Sequence, residues 1–228
     1  MDFSKEYNKV KDSVFAVIEK RNEEYVLIGS GVYVEGNYGI TCEHCITNIN
    51  NMYISFDLVN LIKISNIKTD ASLDLAVFVL NHTNTKVPIR STKNLEIGNE
   101  CFLIGYPMNI IQKNASHAYI SSFETNNTGE LIRLDSSVNH GNSGGPLFNY
   151  DCELIGIINA KHGDVSKSLN SIVTSNSSGG VFISGIDPIA VMQQMIIEMK
   201  NNLNLGIGYA VKIDQAVTVE PNLKSSIR

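Results

Sequence analysis

The apolar positions of this chain fall in short runs, not along a helical stripe. Val14–Ile18, Tyr25–Val34, Met52–Phe56, Leu61–Ile67, Leu75–Leu80, Cys101–Ile104, Ala118–Phe123, Leu131–Leu134, Leu154–Ala160 and Ile207–Ile213 are mostly β-branched or aromatic. Most are bounded by Gly, Asn, Asp or Ser, which favour turns. Many short strands at roughly regular spacing predict an all-β barrel or sandwich. A polar connector near residues 90–98, with Ser91, Thr92, Lys93 and Asn94, divides the chain into two β-rich halves.

Two segments depart from this pattern. Phe3 to Asp12 is polar with apolar spots at Phe3, Tyr7 and Val10, and predicts a short helix. Asp187-Pro188 supplies an N-cap and a first-turn proline. The spacing of Ile189, Val191, Met192, Met195, Ile196 and Met199 then predicts a helix over about 188–201 with a buried face. On that reading Met192, Met195 and Met199 are core. Asp164 to Gly180 reads as a long polar loop, and the tail after Thr218 reads as loose.

Composition narrows the class. At 228 residues the chain can bury a core without disulfide staples. A net charge of −5 argues against a nucleic-acid partner, which needs a basic face. No run of 18 apolar residues predicts a membrane span, so no membrane partner is expected. Met1-Asp2-Phe3-Ser4 lacks the apolar core of a signal peptide. The expectation is a cytoplasmic chain, or a mature or trimmed one. Four cysteines are too few for a disulfide scaffold.

The chemistry gathers at Gly141-Asn142-Ser143-Gly144-Gly145-Pro146-Leu147, just before an apolar strand. Serine is a weak nucleophile and needs a base. Glycines let backbone N–H groups converge on one point, where they can stabilise an oxyanion. The G-x-S-x-G pattern also marks α/β-hydrolases, in the order Ser, acid, His. Here only His162 follows Ser143, with Asp151 and Glu153 between them, and Pro146 obstructs the helix that such a turn requires. The partners must lie upstream. There, Gly29-Ser30-Gly31-Val32 leads through Tyr38-Gly39-Ile40 to a turn with His44, and Asp74 stands at the mouth of a strand. The order is His, Asp, Ser, with 30 residues from His44 to Asp74 and 69 from Asp74 to Ser143.

These blocks, with Ile104-Gly105-Tyr106-Pro107 and Gly206-Ile207-Gly208-Tyr209-Ala210-Val211, occur in the order of the trypsin-like serine proteases. The chain resembles that family over about residues 13–213, and most of all its HtrA/Deg branch. The resemblance implies two six-stranded antiparallel β-barrels with the active site between them. The first barrel would span 13–95 and the second 96–216, with an N-terminal segment 1–12, an insertion at about 163–204 and a tail 217–228. It implies Ser143 as nucleophile, His44 as general base and then acid, and Asp74 as the group that orients His44. The N–H groups of Gly141 and Ser143 would form the oxyanion hole.

Several positions depart from the family pattern. Asn142 stands where digestive enzymes carry the Asp that pairs with a new N-terminus, so that form of zymogen activation is not expected. Glu43 replaces a small residue before the histidine, and His140 stands where the HtrA pattern has Pro. With 15 residues after Ile213 in the sequence given, PDZ-driven regulation is not expected. Cys45 matches a disulfide cysteine of secreted trypsins, but its family partner would lie near Gly29, where there is no Cys. Cys42, Cys101 and Cys152 read as buried thiols. Zinc on the C-E-H-C motif would need further ligands and would occupy the base, so no metal or cofactor is expected.

By family position Ser137 is the base of the P1 pocket, with Val138 beside it and Gly208 in the wall. A neutral base disfavours Arg and Lys. Asn159, Ala160 and Lys161 match the edge strand that pairs with a peptide substrate. Lys161, His140 or His162 at the rim would instead favour acidic side chains, although surface roles are simpler for each. About 44 residues separate Lys161 from Gly206, where the family has a short loop. An alternative alignment takes Gly179–Ile186 as the wall strand. The sequence thus predicts a serine endopeptidase acting on protein or peptide substrates. A catalytically silent, peptide-binding member of the fold is the alternative, and a regulatory protein partner is left open.

Overall fold

The computed structural model describes residues 2–107, 112–126, 129–138, 141–159, 187–202 and 206–228. Helix α1 (Ser4–Val10) opens the chain, and antiparallel strands follow. Strands β1 (Val14–Arg21), β2 (Glu24–Val34), β3 (Tyr38–Thr41), β4 (Met52–Ser55), β5 (Ile62–Lys63), β6 (Lys68–Asp70) and β7 (Leu75–Val79) form one seven-stranded sheet, in the order β5-β4-β1-β2-β3-β7-β6. Strands β8 (Glu100–Gly105), β9 (Asn114–Asn126), β10 (Gly129–Leu134), β11 (Pro146–Asn149), β12 (Leu154–Ile158) and β13 (Gly208–Lys212) close a barrel. The architecture is all-β and two-lobed, with one closed six-stranded barrel and one half-barrel.

The run Leu61–Ile67 predicts a single strand, but Asn66 takes a left-handed φ of 53°. Of the run only the short edge strand β5 forms, and the opposite edge strand β6 begins after it at Lys68.

Strand alternation distributes the core. On β8, Cys101 and Leu103 face the barrel interior with Ile132, Leu134 and Leu147. Phe102 and Ile104 face the other way and join the core of the first lobe, around Phe15, Tyr33 and Phe78. This shared layer ties the lobes together. Gly31 pairs with Phe15 across β1 and β2, and a Cβ there would lie 2.1 Å from the Phe15 ring.

Two expectations are corrected. The tail is packed, not loose. Helix α3 (Ala216–Val219) and a 3-10 turn over Pro221–Ser226 bury Leu223 completely. The Arg228 backbone bonds to Ile89 and Ser91, and its guanidinium meets Glu35 at 2.8 Å. Helix α2 spans Pro188–Asn202, and the Asp187 carboxylate accepts the Ile189 N–H at 2.9 Å as an N-cap. Its methionines are not core as far as they are described. Met192 is 55% exposed and Met195 59%, and no described side chain of α2 belongs to either apolar cluster.

Candidate active site

His44 sits on a 3-10 turn, Glu43–Cys45, that follows β3. Cys45 N–H donates to the Cys42 carbonyl at 3.2 Å and closes the turn. Asp74 sits on the connection from β6 to β7. There the Asp70 carboxylate accepts the N–H groups of Ser72 at 2.9 Å and Leu73 at 3.1 Å. This local cap shapes the bend in which Asp74 adopts a left-handed φ of 53° and is 7% exposed. β3 and β7 are paired neighbours, so the two turns meet at one end of the sheet.

Hydrogen bonds from His44 and Asn159 converge on the Asp74 carboxylate. Oδ1 accepts the His44 backbone N–H at 3.0 Å, and Oδ2 accepts His44 Nδ1–H at 2.7 Å. Oδ2 also accepts Asn159 Nδ2 at 2.9 Å, from a residue 1% exposed at the end of β12. Two points of contact fix both the turn and the imidazole. Burial lowers the His44 pKa, but the Asp74 hydrogen bond and the Cys45 thiol outweigh it, and the pKa is raised to about 9. Glu43 is not among the causes.

Ser143 is 3% exposed on the turn before β11. Ser30 N–H, on β2, donates to its carbonyl at 2.8 Å. Gly144 has φ +82°, and a Cβ there would lie 2.2 Å from Ser30 O and from Thr41 Oγ1. Only glycine fits, so the glycine after the serine serves docking between the lobes. The N–H groups of Gly144 and Gly145 are spent on the carbonyls of Ile158 and Asn142, at 2.8 and 2.9 Å. Gly141 has φ +94°, and its carbonyl accepts Ser30 Oγ–H at 2.7 Å. The same Oγ accepts Tyr106 N–H at 2.8 Å. Asn142 is 6% exposed against Gly105. An Asp there would bury a charge.

Other predicted residues are placed less centrally or lie elsewhere. Ser137 is exposed, and Val138 is half-buried. A Cβ on Gly208 would lie 2.5 Å from Val138 Cγ2, so the wall strand β13 packs closely on that residue. β13, which carries Gly208, pairs with β10 and β12. Ala160, Lys161, His140, His162 and the alternative wall strand Gly179–Ile186 lie outside the described residues, as does most of the 163–204 insertion.

All four cysteines are free thiols. A Cβ at Gly29 would sit 2.5 Å from Cys45 Sγ, so Gly29 does occupy the place of the missing disulfide partner. Ligand atoms of Cys42, His44 and Asp74 lie within 4.8 Å of one another. A metal there would have to break the His44–Asp74 bond and the Cys42 Sγ–H bond to the Ile158 carbonyl at 3.2 Å.

Sequence reasoning missed three supporting side chains. In the sequence Ser30 stands out only as part of a Gly-Ser-Gly block and Thr41 only as the start of the histidine block. Asn159 stands out only as part of the substrate-pairing edge strand. Their partners lie 111, 11 and 85 residues away along the chain, and pairing of the strands is what brings them together.

This geometry can be set beside known proteins. A model of the trypsin-like peptidase domain matches residues 29–157, more than half of the chain. The chain belongs to the trypsin-like peptidase domain family. A serine endoprotease DegS of Haemophilus influenzae is 33% identical over 138 residues, covering 57% of this chain and 40% of the relative. A probable periplasmic serine endoprotease, DegP-like, of Halomonas elongata is 26% identical over 205 residues, covering 87% and 40%. The chain thus spans about two-fifths of the length of these relatives. Among solved structures, an HtrA-type protease AlgW with a tripeptide superposes with a TM-score of 0.71 at 21% identity, covering 98% of this chain and 64% of that one. That likeness shows a shared fold. The expectation of a cytoplasmic chain is overturned, because relatives across most of this trypsin-like domain are named as periplasmic proteases.

Proposed function

We propose that this trypsin-like domain is a serine endopeptidase in which Ser143 attacks the substrate carbonyl. The observation that carries the reading is the 2.7 Å bond from His44 Nδ1 to the buried Asp74 carboxylate. With the glycine-flanked Ser143 as nucleophile, that bond leaves His44 Nε2 to take the hydroxyl proton.

Ser143 Oγ forms the acyl bond as its proton passes to His44, and Asp74 stabilises the imidazolium. The peptide oxygen takes up negative charge, which the N–H groups of Gly141 and Ser143 stabilise. Collapse breaks the C–N bond, and His44 returns the proton to the leaving amine. Water, deprotonated by His44, then releases the acyl group and restores Ser143. The P1 side chain rests near Ser137, Val138 and Gly208. No acidic group stands among these three, so small uncharged side chains are the substrates. Arg would need a buried carboxylate partner and is disfavoured. The names of the relatives support an envelope location.

Digestion of a denatured proteome by wild type and by Ser143→Ala tests the reading. New termini after Ala, Val, Leu or Ser, absent with the variant, are expected. A dominant Arg or Lys preference contradicts the neutral pocket, and no cleavage by folded wild type favours the peptide-binding alternative.

A further inference from the structure

The two cysteines of the C-E-H-C motif are not used by the mechanism above. Their thiols are fully buried, Cys42 Sγ–H donating to the Ile158 carbonyl at 3.2 Å and Cys45 Sγ–H reaching the Ser143 carbonyl at 3.7 Å. They lie three residues apart on a turn closed by the Cys45 N–H to Cys42 carbonyl bond. Such a turn holds its end Cα atoms within about 7 Å. A disulfide spans about 4.4–6.8 Å between Cα atoms. Cys101, on β8, and Cys152 lie away from this turn, with their thiols on the carbonyls of Ala118 and Glu6.

We propose that Cys42 and Cys45 form a reversible dithiol–disulfide site that sets when His44 is available as a base. The bond itself is independent of the serine-protease reading, and only its consequence rests on that reading.

The pair has distinct roles. The Cys42 hydrogen bond, and then His44, hold the Cys45 pKa below the ordinary thiol value despite burial. Burial pushes the Cys42 thiol up. Cys45 is therefore the attacking thiolate and Cys42 the resolving thiol. With hydrogen peroxide as oxidant, Cys45 Sγ forms an S–O bond as the O–O bond breaks, and the departing hydroxide takes a proton to become water. Cys42 Sγ then attacks the sulfenic sulfur. The S–S bond forms and the S–O bond breaks. The second hydroxide leaves with the Cys42 proton as water. Two thiols are oxidised, and one peroxide is reduced to two waters.

The consequence follows from what faces His44. Among the described residues these groups are Asp74 from the β6–β7 turn, and Cys42, Glu43 and Cys45 on its own turn. Asp74 and Cys45 both favour the imidazolium. A disulfide carries no negative charge, so oxidation removes Cys45 from that pair and leaves Asp74. His44 then gives up its proton at lower pH, and Ser143 can be activated there.

The test uses the full chain, reduced with dithiothreitol or oxidised with hydrogen peroxide. Peptide mapping reads the linkage, and fluorophosphonate labelling is followed against pH. Oxidation is expected to give a Cys42–Cys45 bond that dithiothreitol reverses. The acid limb of labelling should move down by about one pH unit, which raises labelling near pH 7 by up to about tenfold. Cys42→Ala should abolish the shift, and Cys45→Ala serves if that variant does not fold. Absence of the bond overturns the proposal, as does a bond with an unmoved or upward limb. If neither form labels, the protease reading fails, and the mapped bond alone upholds or overturns the redox site.

Discussion

Ser30 Oγ donates to the Gly141 carbonyl at 2.7 Å, joining β2 of the first lobe to the serine loop of the second. The hydroxyl also accepts Tyr106 N–H, and the Ser30 N–H holds the Ser143 carbonyl. One residue thus fixes both ends of the segment that carries the nucleophile.

Ser30→Ala removes the side-chain bond and leaves the backbone one. The Gly141 carbonyl loses a buried donor, which costs about 1–3 kcal/mol of stability. The loop that aims Gly141 N–H loosens. Steady-state kinetics should show kcat down by roughly 10–100-fold with KM nearly unchanged, as for an interaction used in the transition state. An unchanged kcat would show that Ser30 serves the fold alone.

Asn159 donates a further hydrogen bond to Asp74. Asn159→Ala leaves the two bonds from His44 and should lower kcat/KM by about tenfold, on the order of 1.4 kcal/mol. Asn159→Asp sets a second carboxylate against Asp74, and like charges this close disfavour each other's ionised form. The Asp variant should therefore be the worse of the two at neutral pH. Equal activity of both would remove Asn159 from the support of the site.

His44 must be neutral to accept the serine proton. Its pKa is raised to about 9, so activity of the reduced chain should climb with pH through the 7–9 range. The acid limb should lie above about 6.5, the value of an unperturbed histidine. The linked stability has the opposite sense. The charged His44–Asp74 pair stabilises the fold below the unfolded pKa, and that contribution is lost as pH rises through 9. A rate profile against pH, with denaturant midpoints at pH 6 and 9, checks both. A limb at or below 6.5 contradicts the raised value.

Much of this was legible in the sequence. Short β-branched and aromatic runs bounded by turn residues located most strands, and the Asp187-Pro188 pair marked the start of α2. The order His44, Asp74, Ser143 excluded the α/β-hydrolase arrangement. What escaped has physical causes. The left-handed φ of Asn66, within the run Leu61–Ile67, is a single-residue backbone event. The exposed Met192 and Met195 follow a helical period, but a period states which side chains share a face and not whether anything covers it. Leu223 packs inside a tail whose Pro, Asn and Ser residues read as turn-forming. The clamp by Ser30 and the brace by Asn159 depend on contacts across lobes, and no local pattern encodes those.

The central claim is that Ser143 is a nucleophile activated by His44. The most direct measurement is mass-spectrometric mapping of a fluorophosphonate adduct on the folded, reduced chain at pH 8–9. A stoichiometric adduct on Ser143 is predicted, lost in Ser143→Ala and slowed by roughly 10³-fold or more in His44→Ala. An adduct on another residue, or none on folded wild type, would contradict it.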